Sequence, residues 1–216
     1  MKVNNRIKII MMALMVLFSF TNLFGVEVAG ISVILGVVFF FVYKGIEKQT
    51  DEVCGLNIKS IGKDLKGLSI WLWILMPLLM DVIAITLSKR ILPGYIEHML
   101  LRSGSILSFD RVFILMIQLI VFAMGEEIAW RAFFQKQLKS FLPRSFTILI
   151  TSLLFSLGHL ASGDTIIVVY DLLAVFINSV LYGIIFEKTN NAWISTISHF
   201  MSNVFSILIL NLFIIQ

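Results

Sequence analysis

Six strongly polar side chains stand inside apolar sequence in the second half of the chain, and their types and spacing could do chemistry. The run VFILMIQLIVFAM leads into Glu126, Glu127 and Arg131; FSLGH ends at His159; HFMSN runs from His199 to Asn203. Glu127 and Arg131 are i and i+4, on one helix face and within ion-pairing reach. Glu126 is rotated from its neighbour by about 100° at 3.6 residues per turn. One glutamate can therefore be neutralised while the other stays free. The same Glu-Glu-x-x-x-Arg pattern also suits a helix leaving the membrane into water, where such pairs are common and weak. His199 and Asn203 are again i and i+4 and project from one face, with Ser195 and Ser202 nearby as interhelical donors. For them the alternative is a polar packing stripe.

A turn at Leu142-Pro143 links the first two motifs, because proline is tolerated at a helix start and not inside one. Glu126 lies sixteen residues before Leu142 and His159 sixteen after Pro143. In antiparallel helices rising about 1.5 Å per residue, equal distances from the turn put both side chains at one depth. The alternative for His159 is a core histidine bonded to a backbone carbonyl. A carboxylate and an imidazole at one depth can share a water and take its proton, and a second imidazole with a carboxamide can donate to the oxyanion formed by attack on an amide carbonyl. The serines are dispersed without a Gly-x-Ser-x-Gly, so nucleophilic catalysis has no comparable set. No glycine-rich phosphate cradle points to an ATP-driven pump.

The elements that must position these groups follow from composition. Of 216 residues, 59% are hydrophobic and 14% charged, with a mean hydropathy of +0.98. A soluble domain runs nearer ~45–50% apolar and ~25% charged, so a bilayer must solvate the excess. Apolar blocks at 9–24, 28–43, 68–87, 112–138, 146–160, 166–186 and 192–215 predict an all-α fold: one polytopic membrane helical bundle, residues 1–216, of about seven transmembrane helices, with the motif-bearing core at about 111–215. The first block lacks a small-residue cleavage site and reads as an uncleaved anchor. The segment between the third and fourth blocks, with Pro93 and two glycines, predicts an amphipathic connection along the interface. The formal charge of +4 is scattered between apolar blocks and excludes a nucleic-acid stripe. The single Cys54 excludes an intramolecular disulfide framework.

Lys and Arg on alternate loops set the orientation. One side collects Lys2, Arg6, Lys8, Lys44, Lys48, Lys59, Lys63, Lys66, Lys136, Lys139, Arg144 and Lys188; the other has only Lys89, Arg90, Arg102 and Arg111. This predicts a cytoplasmic N-terminus and an external C-terminus. Among other intramembrane charges, Asp81 and Asp171 read as packing residues and His98 as solvated or at headgroup level. Trp71, Trp73, Trp130 and Trp193 read as interface anchors or packing.

The ordered trio Glu126-Glu127-Ile128-Ala129-Trp130-Arg131, Phe155-Ser156-Leu157-Gly158-His159 and His199-Phe200-Met201-Ser202-Asn203 resembles the CAAX-protease and bacteriocin-processing (CPBP) family of intramembrane proteases. The motifs span about a third of the chain. The resemblance implies a helical membrane fold whose cavity opens towards the cytoplasmic side. It also implies that Glu126 and His159 activate water, that His199 and Asn203 stabilise the oxyanion, and that Glu127 with Arg131 braces the site. Eukaryotic relatives remove the tripeptide after a prenylated cysteine. This short, Phe- and Ile-rich chain looks like the bacterial branch, whose varied substrates include some linked to bacteriocin processing or immunity, which implies a bacterial cell membrane.

The expected function is an intramembrane endopeptidase acting on a membrane-associated peptide or lipid-anchored protein, with membrane lipid as its other partner. A non-catalytic immunity or peptide-binding protein on the same scaffold is the alternative. A proton-coupled transporter relaying through Glu126 and His159 is a third, without the paired repeats many transporters show. No cofactor is expected, since His-Glu-x-x-His is absent and Asn203 is a poor zinc ligand. Zinc through Glu126, His159 and His199 remains the alternative, as His₂Glu with an open water position is hydrolytic elsewhere.

Overall fold

The computed structural model describes residues 3–19, 22–23, 26–27, 29–104 and 111–214. In chain order the helices are α1 (Asn5–Ser19), α2 (Ala29–Glu47), α3 (Asp51–Cys54), α4 (Ile61–Asp64), α5 (Leu68–Ile91), α6 (Tyr95–Gly104), α7 (Val112–Glu126), a π-helical segment (Glu127–Gln135), α8 (Lys136–Leu138), α9 (Arg144–Leu157), α10 (Thr165–Thr189) and α11 (Ala192–Ile214). A two-residue pairing of Asn22–Leu23 with Val26–Glu27 joins α1 to α2, so the chain is essentially all-α, as its hydropathy requires.

Among the described residues five stretches are long and apolar enough to cross a membrane: Gly30–Glu47, Leu68–Ile91, Val112–Leu138, Thr165–Thr189 and Ala192–Leu210. The expected count of about seven is not reached by this measure. The block at 146–160 folds as α9, only 14 residues, or about 21 Å at 1.5 Å per residue. Within the block at 9–24, α1 runs only to Ser19, as the end of a 15-residue helix, and positions 20, 21 and 24 lie outside the described residues. Pro143 sits immediately before α9 as its N-cap, so the hairpin turns where a proline at a helix start required.

The bundle packs polar side chains inside among apolar clusters and turns apolar ones outward, the arrangement a hydrocarbon solvent selects. In α9 the buried positions are Thr147, Ile148, Thr151, Ser152, Phe155 and Ser156, whereas Phe146, Leu149, Ile150 and Leu153 are exposed. Helix α5 packs on α10 and α11, α10 on α9, and α2 on the π segment and α1. Gly36 permits the last of these approaches: a Cβ there would meet the Ala129 Cβ at 2.5 Å and the Met15 Cε at 2.6 Å.

The polar segment after α2 is a structured cap on the α10–α11 turn. Asn191 Nδ2 donates to Asn57 O at 2.9 Å, Ser60 Oγ at 3.0 Å and Asp64 Oδ2 at 3.1 Å. The Ala192 amide donates to Gly55 O at 2.8 Å. Asn190 ends α10 in the left-handed region at φ 46, a conformation asparagine tolerates better than most residues, and donates to Glu52 O at 2.9 Å. Cys54 is buried within this cap.

Candidate active site

The π segment puts Glu127, Arg131 and Gln135 on one buried face, all with no exposed surface. Such widened turns are rare and occur often at functional sites. Glu126 closes α7 and Glu127 opens the π segment. Their carboxylates reach opposite nitrogens of one imidazole on α11: Glu127 Oε1 lies 3.1 Å from His199 Nδ1, and Glu126 Oε2 lies 3.5 Å from His199 Nε2. Adjacent helix positions diverge, and an imidazole with a nitrogen on each side can bridge what diverges.

The glutamates differ in surroundings. Glu127 also takes Arg131 Nε at 3.4 Å, and both side chains are completely enclosed. Arg131 extends across the hairpin, donating from Nη2 to Ser179 Oγ at 2.8 Å and lying over the Phe155 ring at 5.2 Å. Glu126 keeps 22% of its side-chain surface accessible, so it is the carboxylate a substrate or water can reach.

His199 is fixed from several sides. Tyr182 stacks on it with centroids 4.5 Å apart and planes 16° from parallel, and Phe155 meets it edge-on at 6.3 Å. Glu127, with Arg131 beside it, is an acceptor, so Nδ1 is the donor in that contact and Nε2 is the atom turned towards Glu126.

His159 lies in the turn that ends α9. Its Nδ1 is 2.9 Å from Phe155 O. A carbonyl only accepts, so Nδ1 carries the proton and Nε2 presents a lone pair. The ring packs on Phe155 at 4.6 Å, so Phe155 touches both imidazoles. The imidazole in direct contact with Glu126 is that of His199. Counting sixteen residues either side of the turn assumes a regular α-helical rise, whereas Glu127–Gln135 is π-helical and His159 follows the end of α9. Asn203, one turn after His199 on α11, is half-buried, and its carboxamide has no hydrogen-bond partner among the described residues.

Sequence reasoning missed several contributors. Tyr182 and Ser179 are three apart on α10 and form one polar face with Asn178, a pattern that was visible. Ser195 Oγ lies 3.2 Å from Ala192 O in its own helix and also reaches the Glu127 carboxylate on the π segment, while Ser202 reaches Asp81 on α5, so both serines proposed as interhelical donors meet another helix. His98, expected at headgroup level, is instead buried. Its Nε2 is 3.5 Å from Asp171 Oδ2, which Arg102 Nη1 also meets at 2.7 Å. The amphipathic character of α6 and the intramembrane Asp171 were both legible, but their pairing was not. Among the described residues no three His, Cys, Asp or Glu are arranged to hold a metal ion. Both His199 nitrogens face carboxylates.

Fold and site together define an integral membrane helical bundle whose centre is a glutamate pair gripping one histidine. Residues 108–205, the segment holding all three motifs, match the family model of the Type II CAAX prenyl endopeptidase Rce1-like proteins, consistent with a CPBP-family intramembrane protease. No curated protein and no solved structure matches the chain.

Proposed function

We propose that this chain is an intramembrane endopeptidase that cleaves a membrane-associated or peptide substrate with glutamate-activated water. The observation that carries the reading is the inequality of the glutamates: Glu127 is fully enclosed with Arg131, while Glu126 is partly accessible and held against His199. Glu126 is the general base. As the water oxygen bonds to the scissile carbonyl carbon, its proton passes to Glu126 and the carbonyl electrons move onto oxygen. His159, with its Nε2 lone pair available, holds the attacking water. His199, with Nε2 as well as Nδ1 protonated, and the Asn203 carboxamide, which has no hydrogen-bond partner among the described residues, supply donors for the oxyanion. When the tetrahedral centre collapses, the C–N bond breaks and the proton on Glu126 moves to the departing amine. Glu127 and Arg131 act through His199, fixing its ring.

The match to CAAX-type proteases supports a substrate presented at the membrane surface. The Lys and Arg asymmetry supports a cytoplasmic N-terminus, which would put the α3–α4 cap and the α10–α11 turn on the cytoplasmic side.

The test is cleavage by detergent-purified protein of candidate peptides, with and without a prenylated cysteine, and comparison of membrane proteomes with and without the active chain. Glu126→Gln should lower kcat/KM by roughly 10²–10⁴-fold with an unchanged melting midpoint. Full activity in that variant sinks the base assignment. Exhaustive chelation should leave cleavage intact; loss that is reversed by stoichiometric zinc would establish the metal alternative.

A further inference from the structure

A second polar knot, outside the site above, joins α5 to α10 and α11. Asp81 lies thirteen residues from Leu68, about 20 Å along α5, close to that helix's middle. Asn178 Nδ2 donates to its Oδ1 at 2.6 Å, Ser206 donates to Oδ2 at 2.8 Å, and Ser202 donates to Oδ2 as well. The α11 donors belong to a serine row at four-residue spacing, since Ser198 also faces α5 and donates to Ile74 O at 2.9 Å.

The Asn178 amide donates and both hydroxyls can, so the three contacts suit the acceptor-only, ionised form of Asp81. No Lys, Arg or His among the described residues lies within ion-pairing distance of it. An ionised carboxylate at mid-membrane depth whose hydrogen bonds come only from neutral groups, with the His199 imidazole felt at longer range, is expensive unless a cation compensates it. The knot has the oxygens for one. Asp81 offers two, the two hydroxyls keep lone pairs, and Asn178 Oδ1 is buried without a partner. All are hard oxygen donors, which suit hard cations. A single carboxylate supplies one negative charge, which a monovalent ion neutralises, whereas Mg²⁺ or Ca²⁺ would keep an excess positive charge in hydrocarbon.

We propose that Asp81, Asn178, Ser202 and Ser206 form a binding site for a monovalent cation of the sodium class, clamped between α5, α10 and α11. The ion draws together three long helices around the stretch of α11 that carries His199 and Asn203. Binding favours the folded chain over the unfolded one, because no unfolded state assembles oxygens from three helices.

The experiment is thermal unfolding of the full chain in neutral detergent at pH 8, titrating sodium against choline at constant ionic strength, with potassium and lithium series in parallel. Sodium should raise the midpoint saturably, by roughly 5–10 °C at 100-fold its dissociation constant. Asp81→Asn should melt at one temperature in all salts, and Ser206→Ala should need at least tenfold more sodium for the same rise. Equal midpoints in sodium and choline for the unaltered chain overturn the proposal. So does a sodium response that survives in Asp81→Asn. If Asp81→Asn cannot be purified, an unshifted sodium titration in Ser206→Ala overturns it instead. The readout is melting, so it stands apart from whether the chain cleaves peptides.

Discussion

Two intramembrane carboxylates tie α11 to its neighbours, and they are held by opposite means. Glu127 is neutralised by charge: the Arg131 guanidinium on its own helix and the His199 imidazole across the interface. Asp81 is held by dipoles alone, an amide from α10 and two hydroxyls from α11. The difference decides what each can lose. Removing one member of a buried charged pair strands the other in low dielectric, whereas neutralising an acid held by neutral donors strands nothing charged. The Glu127 centre is accordingly suited to fixing a ring rigidly, and the Asp81 knot to exchanging a small charge.

The largest effect that could break this comparison is at Glu127. Glu127→Gln should destabilise the chain by about 3–5 kcal/mol by leaving Arg131 buried and unpaired, read as a fall in the unfolding midpoint in detergent. The double variant Glu127→Gln with Arg131→Met should recover much of that loss, because no orphan charge remains; additive losses would mean that Arg131 is not the reason. Next is Ser179→Ala. It strips Arg131 Nη2 of its partner and should cost about 1–3 kcal/mol on the same assay, and an unchanged midpoint would remove Ser179 from the brace. The smallest effect should be Asp81→Asn in sodium-free medium, within the ~0.6–1.7 kcal/mol range of interhelical hydrogen bonds in membranes. A loss as large as that of Glu127→Gln would erase the distinction between the two carboxylates.

The same contrast explains what could be read in advance. Glu127 and Arg131 were legible because i,i+4 geometry is local, and the Leu142-Pro143 turn because proline constrains its own backbone. The helical membrane class followed from hydropathy. Asp81 was visible as a charge, but its partners Asn178, Ser202 and Ser206 are roughly a hundred positions away, and nothing local announces them. The pairing of Glu126 with His199 was hidden for a second reason. It depends on a π segment, a departure from α geometry that no residue in EIAWRAFFQ signals, and on how α11 is rotated by its serine row. Residue types thus revealed which groups could react, while helix rotation, a tertiary property, determined which of them met.

The shortness of α9 bears on the membrane as well as on the protein. A helix of about 21 Å cannot match a hydrocarbon layer of about 30 Å, and lipid beside a short span answers by thinning locally. The outward side chains Phe146, Leu149, Ile150 and Leu153 fix where acyl chains must end, and beyond Leu157 the chain runs through Gly158 and His159 before α10 begins at Thr165. Thinning there would draw headgroups and their water towards the level of His159. A bilayer thinned at this edge of the bundle would leave the proposed peptide substrate less oil to cross on its way to the glutamates than it would meet beside any of the five longer helices.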